Sequence, residues 1–399
     1  MKLSVKLLTI VLVFISIIVA FVPLSIAENK ELKLGVYVLL TGPGSQIGPL
    51  NLKGAELAAD WINNKGGIKI KDDNYLIKLV VVDEKSGMAD QTIASFRTLV
   101  EVEKVKFMTG GASPTDSSIG ATVTEPAKVL RSLWWGEGTP KEINANLQYT
   151  FRANHYARDT LPGLYQYLVE TYPNVKKVAL ATITTPGSQF TIDTCKKEGA
   201  DPVGVEIVFT ETYPVSTQDF YPYVTKLLAS NPDAIHVTAG YPHLIGGILK
   251  TAREMGFTGP VFASTPAPMS EIMKIAGKEY ATDYFTFPPY TDSPDMTPMI
   301  KEIREMSLKK YGLFNTDILL SWDGVWCMAQ AIEKAQSVDP TEVKNVWEKM
   351  DSIDTAYGKG KMGGLKTYGV NHVVVKPYAI GRITDGKIEH IKWVMPVIP

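Results

Sequence analysis

The first stretch of the chain that could do chemistry is a glycine-rich turn between an apolar run and a helical pattern. Gly42, Gly44 and Gly48 stand where the backbone N–H groups of a dinucleotide-binding loop would hold a pyrophosphate. The spacing is one residue too long for G-x-G-x-x-G, and no acidic residue follows at the distance that a ribose requires. Nucleotide binding is therefore disfavoured. The same glycines predict a tight turn at the carboxyl end of a strand.

Catalytic and metal-binding patterns find little support in the sequence. The five histidines form no i, i+4 pair and have no cysteine neighbour, as a zinc site would need. Ser307 and Lys310 have Ser-x-x-Lys spacing, but they lie in a charged helical pattern without the companion motifs. We therefore expect no enzyme, no metal and no cofactor.

His236 lies in an apolar strand pattern and is predicted to be a core residue with its hydrogen bonds satisfied. His243, beside Tyr241 at a strand end, is the histidine expected to face a ligand.

The elements that must position such residues alternate between strands and helices. The apolar run 32–40 predicts a parallel strand covered on both faces. The helix that follows is predicted to end at Gly66-Gly67, because glycine adopts the left-handed backbone conformation of a helix cap without steric penalty. Strand, glycine-containing loop and helix recur four times before residue 140. A second such series starts after Phe151, and Val370–Val397 predicts further strands. We therefore expect two doubly wound α/β domains with a ligand cleft between their loops.

Length and composition agree with this organisation. A chain of 399 residues predicts two domains. With 45% hydrophobic residues, 21% charged residues and a net charge of −1, nothing favours a nucleic-acid or anionic-membrane partner. Cys195 and Cys327 are far apart in sequence and lie in helical patterns, so they are expected to be free, partly buried thiols.

The first 27 residues differ in kind from the rest. Lys2 and Lys6 precede an apolar run over residues 7–22, and Ser25-Ile26-Ala27 supplies small residues at the cleavage positions. The pattern predicts a secretory signal peptide that is cut after Ala27. The alternative is an uncleaved membrane anchor, because the run is near the upper length of a signal core. Either way, the remainder of the chain is expected outside the cytoplasm.

Three groups of residues, in order along the chain, carry a resemblance to a known family. They are Thr41-Gly42-Pro43 with Lys53–Ala58 and Asn63–Ile68, then Thr217–Phe220 with Asn231–Ala234, then Ala239–Pro242 with Ala252–Phe257. In these groups the chain resembles the periplasmic solute-binding proteins of the branched-chain amino acid (leucine/isoleucine/valine-binding) transport family. The resemblance implies a type I periplasmic binding fold, in which two α/β lobes joined by a three-strand hinge close like a Venus flytrap. It places residues 28–152 plus about 287–357 in the N-terminal lobe, and 153–286 plus about 358–399 in the C-terminal lobe.

The resemblance also implies a function. It predicts the periplasmic solute-binding subunit of an ABC importer, a monomer that captures an amino acid or a related small carboxylate or amide, aromatic acids included. The partners are then the solute and a membrane permease, with no nucleic acid. The alternative is a sensory binding protein that hands its ligand-closed state to a receptor.

Ligand-binding residues follow from the same resemblance. The ligand's carboxylate is expected at hydroxyls and backbone N–H groups of Ser113, Thr115, Gly138 and Thr139, which suits an anion because turn N–H groups need no buried counter-charge. Ser113 and Thr115 could equally cap a helix. The other expected contacts are Gln46, Ile47, Trp135, Glu137, His155, Tyr156, Gly187, Tyr241 and Thr265.

The chain departs from the family where an ammonium group would bind. At two positions where the resemblance leads us to expect an acidic residue, this chain has Ala157 and Thr265 instead. An aromatic residue that the resemblance also implies falls near Pro186. A buried ammonium without a carboxylate costs several kcal/mol. An ordinary α-amino acid is therefore disfavoured, and an uncharged, aromatic or acidic ligand end is predicted.

Overall fold

Two β-sheets organise the protein. The computed structural model describes residues 29–41, 45, 47–85, 89–111, 114–134, 136, 138–185, 187–238, 241–265, 267–287 and 296–398; for 114–116, 157, 316, 390 and 391 it describes the backbone alone. The predicted signal peptide lies outside the described residues. The strands are β1 (Asn29–Val38), β2 (Ile68–Ile70), β3 (Asp73–Asp83), β4 (Phe107–Gly110), β5 (Leu130–Leu133), β6 (Thr150–Arg152), β7 (Lys177–Ile183), β8 (Glu206–Tyr213), β9 (Ala234–Val237), β10 (Val261–Ala263), β11 (Tyr284–Thr286), β12 (Ile353–Thr355), β13 (Gly358–Gly363), β14 (Val373–Val375), β15 (Tyr378–Thr384) and β16 (Lys387–Val394).

The nine-stranded sheet has a parallel centre and two antiparallel edges, whereas the seven-stranded sheet is parallel from β11 to β8 and has one antiparallel edge. The nine-stranded sheet runs β12-β13-β14-β6-β5-β4-β1-β3-β2, and the seven-stranded sheet runs β16-β15-β11-β10-β9-β7-β8. β1 pairs in parallel with both β3 and β4, and its residues 36–38 are buried. Apolar clusters cover both faces of both sheets. The prediction of two doubly wound α/β domains is confirmed. We call them the first lobe (nine strands) and the second lobe (seven strands).

Helices connect the strands. They are α1 (Gly48–Asn64), α2 (Ala89–Arg97), α3 (Pro114–Thr124), α4 (Ala157–Thr171), α5 (Ser188–Thr194), α6 (Tyr221–Ala229), α7 (Pro242–Glu254), α8 (Met269–Ala276), α9 (Pro298–Tyr311), α10 (Thr316–Ala335), α11 (Pro340–Trp347) and α12 (Leu365–Tyr368). As predicted, α1 stops at Gly66 and Gly67, whose φ angles of 102° and 82° disfavour a side chain. Among the described residues, no helix combines the length and the apolar character that a membrane span requires.

The third crossing between the lobes lies later than expected. β13 and β14 belong to the first sheet, where β14 pairs with β6, so the chain passes to the second sheet between Val375 and Tyr378 rather than near residue 357. The prediction assigned every strand-like segment of the tail to the second lobe. Val373–Val375, however, is an inner strand of the first sheet, buried between β6 and β13.

Both cysteines and two of the tryptophans are core residues. Cys327 is buried in the first lobe and Cys195 in the second, and both are free thiols as predicted. Trp322 and Trp347 are fully buried, and Trp322 meets Trp61 edge to face at 5.5 Å, which joins α10 to α1.

Gly54 lets α1 and α10 approach closely. A Cβ at this position would lie 2.2 Å from the Ile318 carbonyl oxygen and 2.1 Å from Ser321 Oγ. Gly54→Ala should therefore lower the free energy of unfolding by about 2 kcal/mol, because the two helices must separate. Urea unfolding measures the change. Gly66→Ala is the control: its Cβ meets no atom within 4 Å, so only the left-handed backbone preference of about 1 kcal/mol is lost. A Gly54→Ala protein as stable as the wild type would contradict the close approach.

Candidate functional site

The carboxyl edges of the two parallel sheets face the boundary between the lobes. The chain leaves the first sheet after β6 and leaves the second sheet after β11, in each case from the carboxyl end of a strand. A groove of about 380 Å³ opens at this boundary; it is lined by Pro268, Ser270 and Glu271 of the second lobe and by Arg304, Leu308, Phe314 and Asn315 of the first. Ligands of open α/β sheets bind at such edges. We call the space between the two edges the cleft.

Glycines shape the first-lobe edge of the cleft. Gly110 and Gly111 end β4 with φ angles of 150° and 101°, and Gly138 follows β5 with a φ of 80°. A Cβ on Gly110 would lie 2.2 Å from the Tyr37 carbonyl oxygen, so only glycine fits there. These positions allow two loops to turn sharply at the carboxyl ends of neighbouring strands, where hydroxyls and N–H groups can reach a ligand.

A buried carboxylate lies beneath the second of these loops. Glu142 is fully buried, and its Oε2 accepts the backbone N–H of Thr139 at 2.7 Å. A Cβ on Gly136 would lie 1.9 Å from Glu142 Oε1 and 2.7 Å from Tyr156 Oη, so the loop is held close against both side chains. The amide of Thr139 therefore already has a partner, and Thr139 as a residue is partly exposed. Its contact with a ligand, now expected through the hydroxyl, stays a prediction.

An ion pair joins the lobes at the first crossing. Arg152 of β6 pairs with Asp159 of α4 at 2.7 Å, and neither side chain is more than 2% exposed. Asp159 also accepts the backbone N–H of Tyr156 at 2.9 Å, which caps α4, and the guanidinium lies 4.0 Å from the centre of the Tyr156 ring. Burial opposes the charge of Arg152, but the Asp159 carboxylate raises its pKa overall. Burial raises the pKa of Tyr156, so its hydroxyl stays neutral. Tyr156 was expected to contact the ligand; its ring is fully buried against Arg152.

A second buried ion pair ties the third crossing to the first. Lys376 Nζ donates to Asp323 Oδ2 at 2.5 Å and to Asn154 Oδ1 at 2.7 Å, and Asn154 Nδ2 donates to the Leu320 carbonyl of α10 at 2.7 Å. All three of these polar side chains are fully buried. Two of the three crossings are thus fastened to the first lobe by one network, which we call the hinge network.

His155 belongs to the hinge rather than to the open cleft. Its Nε2 lies 2.7 Å from the Lys376 carbonyl oxygen and its ring is 6% exposed, between Tyr357 and Tyr378. Burial, and then the charge of Lys376, lowers the pKa of His155 to about 3. A neutral ring therefore donates its Nε2–H to the carbonyl. The described contacts of the His155 ring are thus structural, and the ligand contact expected from the sequence stays a prediction.

The second-lobe edge is formed by hydroxyls and one exposed aromatic ring. Thr265 is buried, and its Oγ1 donates to the Thr238 carbonyl at 2.8 Å. Tyr241 precedes α7 and is 38% exposed, with its ring 5.9 Å from that of His243. Gly187 precedes α5, and its N–H donates to Thr185 Oγ1 at 3.2 Å. These three predicted residues lie at the ends of neighbouring strands, as the cleft requires.

Several predicted site residues cannot be placed. Gln46, Ser113, Trp135, Glu137 and Pro186 lie outside the described residues, and Thr115 and Ala157 are described by their backbone alone, in α3 and α4. Ile47 is described; it is partly exposed and precedes α1. Within the described part of the chain, no group of three or more His, Cys, Asp or Glu side chains could hold a metal ion.

The sequence reasoning missed the buried charges around the cleft. Asp323 interrupts the apolar pattern of α10, and Lys376 directly follows three valines. A charge inside an apolar run indicates a buried partner, because an unpaired buried ion is too costly. The sequence therefore indicates a buried partner for Asp323 and for Lys376, but it does not identify them as partners of each other.

Comparison with known proteins agrees with this architecture. The sequence profile of the family described as periplasmic binding protein matches residues 31–387. The chain is 25% identical over 354 residues to the Leu/Ile/Val-binding protein homolog 7 of Brucella melitensis, with 84% of each chain covered.

Solved structures show the same fold. The branched-chain amino acid transporter substrate-binding protein LivJ of Streptococcus pneumoniae, in complex with isoleucine, has a TM-score of 0.74 at 23% identity, covering 92% of this chain and 100% of that one. An ABC transporter solute-binding protein of Rhodopseudomonas palustris BisB5, in complex with 3,4-dihydroxybenzoic acid, has a TM-score of 0.73 at 18% identity, covering 92% and 98%. These are binding proteins rather than enzymes. The chain belongs to the periplasmic binding protein family, and its fold is the type I fold of the leucine/isoleucine/valine-binding proteins.

Proposed function

We propose that the protein captures a small carboxylic acid or amide in the cleft, an amino acid or an aromatic acid, and delivers it to the permease of an ABC importer. The observation that carries the proposal is the arrangement of the two lobes. The loop-bearing carboxyl edges of both sheets face one boundary, and the chain crosses that boundary three times. Such lobes close over a solute by hinge motion, without covalent chemistry. Export through residues 1–27 and action as a periplasmic monomer are part of the same proposal.

Membership of the family supports a solute-binding role, and the ligands of two structural neighbours indicate two kinds of solute. One neighbour holds isoleucine and another holds a dihydroxybenzoic acid. The absence of an acid at Thr265 favours the second kind, because an ammonium needs a carboxylate. Thr139 is partly exposed and carries a hydroxyl, which supports a carboxylate at the first-lobe edge.

Thermal denaturation with a panel of solutes tests the proposal. Amino acids, aromatic acids, amides and short dicarboxylates are added singly to the purified protein. A true ligand at about 100 times its dissociation constant should add roughly 2.7 kcal/mol to the free energy of unfolding, which raises the melting temperature by several degrees. No stabilisation by any member of the panel would contradict the proposal.

Thr139→Val then tests the carboxylate site. Affinity for the best ligand should fall about tenfold or more, since a hydrogen bond to a charged group is worth roughly 1.5–3 kcal/mol. Thr139→Ser keeps the hydroxyl and should bind as the wild type does. Unchanged affinity in the valine variant would remove Thr139 from the site.

Uptake of the ligand by cells that lack the protein separates import from sensing. Loss of an importer's binding protein abolishes uptake, whereas loss of a sensor leaves uptake intact.

A further inference from the structure

The strand-end loops of the second lobe carry no formal charge before Glu271, which lines the groove and pairs with Lys274 at 2.6 Å. The segments at the carboxyl ends of β7 to β10, residues 182–188, 213–218, 238–244 and 264–270, contain no Asp, Glu, Lys or Arg. Charged residues at the start of α4 already have partners, because Arg158 pairs with Glu198 at 2.8 Å and Asp159 pairs with Arg152 at 2.7 Å. An ion buried against this edge would remain unpaired, which is strongly unfavourable.

Two hydrogen bonds link three buried threonines at this edge. Thr265 Oγ1 donates to the Thr238 carbonyl at 2.8 Å, and Thr238 Oγ1 donates to Thr182 Oγ1 at 2.6 Å. All three side chains are at least nine-tenths buried. A hydroxyl has one proton and two lone pairs. Since the Thr265 proton is used for the Thr238 carbonyl, its Oγ1 is left to act only as an acceptor.

A second observation shows unused hydrogen-bonding capacity at the same strand ends. Ser264, next to Thr265, is fully buried, and its Oγ has no hydrogen-bond partner among the described residues. The Tyr213 hydroxyl at the end of β8 is likewise buried and unpartnered in the described part of the chain. Buried polar groups are rarely left unpaired in folded proteins. Neutral polar atoms at this edge therefore suit a ligand that carries a neutral polar group.

We propose that the end of the solute that faces the second lobe carries a neutral hydrogen-bond donor, a hydroxyl or a carboxamide, which donates to Thr265 Oγ1. This inference rests on the proposed function, that a small acid or amide binds between the lobes, and it names the chemical class of that solute. The solute is a hydroxy acid or an acid amide without an ammonium group at its far end. Its charged end lies against the first lobe.

Matched compounds test the inference. One series is 4-hydroxybutanoate, butanoate and 4-aminobutanoate; a second series is 4-hydroxybenzoate and benzoate. Affinities are measured by titration calorimetry with the full-length mature protein. In at least one series, the hydroxyl compound should bind about tenfold more tightly than the compound that lacks the hydroxyl. Without that donor, the buried Thr265 acceptor stays unpaired, which lowers affinity by about this factor. The amine should bind more weakly than either.

Two variants assign the effect to Thr265. Thr265→Val keeps the shape and removes the acceptor, so the hydroxyl and parent compounds should bind equally. Thr265→Ser keeps the acceptor and should keep the tenfold ratio. Equal affinities in the wild type, an unchanged ratio in the valine variant, or tightest binding of the amine would overturn the inference and leave the proposed function standing. Failure of every acid, amide and amino acid to bind would overturn both. If the valine variant does not fold, the wild-type ratios alone decide.

Discussion

Replacing Lys376 by methionine should lower the free energy of unfolding by about 3–5 kcal/mol. Methionine fills much of the same volume, but it leaves the Asp323 carboxylate fully buried without its cation. Burial alone raises the pKa of Asp323, and Lys376 is the charge that opposes this effect. The Asn154 side chain also loses the donor at its Oδ1, 2.7 Å away. Urea unfolding at pH 7 measures the loss.

The double variant Lys376→Met with Asp323→Leu should recover most of that stability. Both charges are then absent, and replacing a buried ion pair with apolar residues is often neutral. Lys359→Met is the surface control. Lys359 pairs with Asp354 at 2.6 Å, but both side chains are at least half exposed, so its loss should be below about 1 kcal/mol. A Lys376→Met protein within 1 kcal/mol of the wild type would show that the buried pair contributes little.

The hinge network also explains why its partners could not be read from the sequence. Asp323 and Lys376 are 53 residues apart, and Asn154 lies 222 residues from Lys376. Asp323 and Lys376 each interrupt an apolar pattern, whereas Asn154 lies in a polar stretch. Their meeting depends on β14 lying beside β6, and no local pattern specifies that pairing. For the same reason, the third crossing was expected some twenty residues too early.

Local features, by contrast, were predicted well. The buried β1, the end of α1 at Gly66 and Gly67, and the alternation of strands with helices follow from periodicity and glycine chemistry alone. The roles of individual site residues do not follow from such local patterns, because burial decides the role of a polar side chain. Tyr156 and His155 are polar residues at a strand end, as ligand contacts are, yet both are enclosed by other side chains.

Lowering the pH from 7 to 5 should destabilise the protein by about 3 kcal/mol through the buried His155 and His236 and the partly buried Asp317. Burial lowers the pKa of both His155 and His236 to about 3, below the value of about 6.5 in an unfolded chain. The unfolded state therefore takes up protons first, and stability that is present above pH 6.5 is lost as the pH falls toward 3. At pH 5 each histidine contributes a loss of about 2 kcal/mol. Burial raises the pKa of Asp317 to about 6, so the folded state takes up this proton before the unfolded state does. This uptake stabilises the folded state and offsets the loss by about 1 kcal/mol.

His236 allows this effect to be measured separately, because no charged group accounts for its shift. Its Nδ1 lies 3.0 Å from the Tyr165 hydroxyl and its ring stacks on Phe262 at 4.4 Å, while its Nε2 is buried without a partner among the described residues. The expectation of a fully satisfied core histidine is thus met at one ring nitrogen only. His236→Gln keeps an acceptor for Tyr165 but does not titrate. Its loss of stability between pH 7 and pH 5, measured by urea unfolding, should be about 2 kcal/mol smaller than that of the wild type. An identical loss in both proteins would mean that the pKa of His236 is the same in the folded and unfolded states, which its enclosure by aromatic rings opposes.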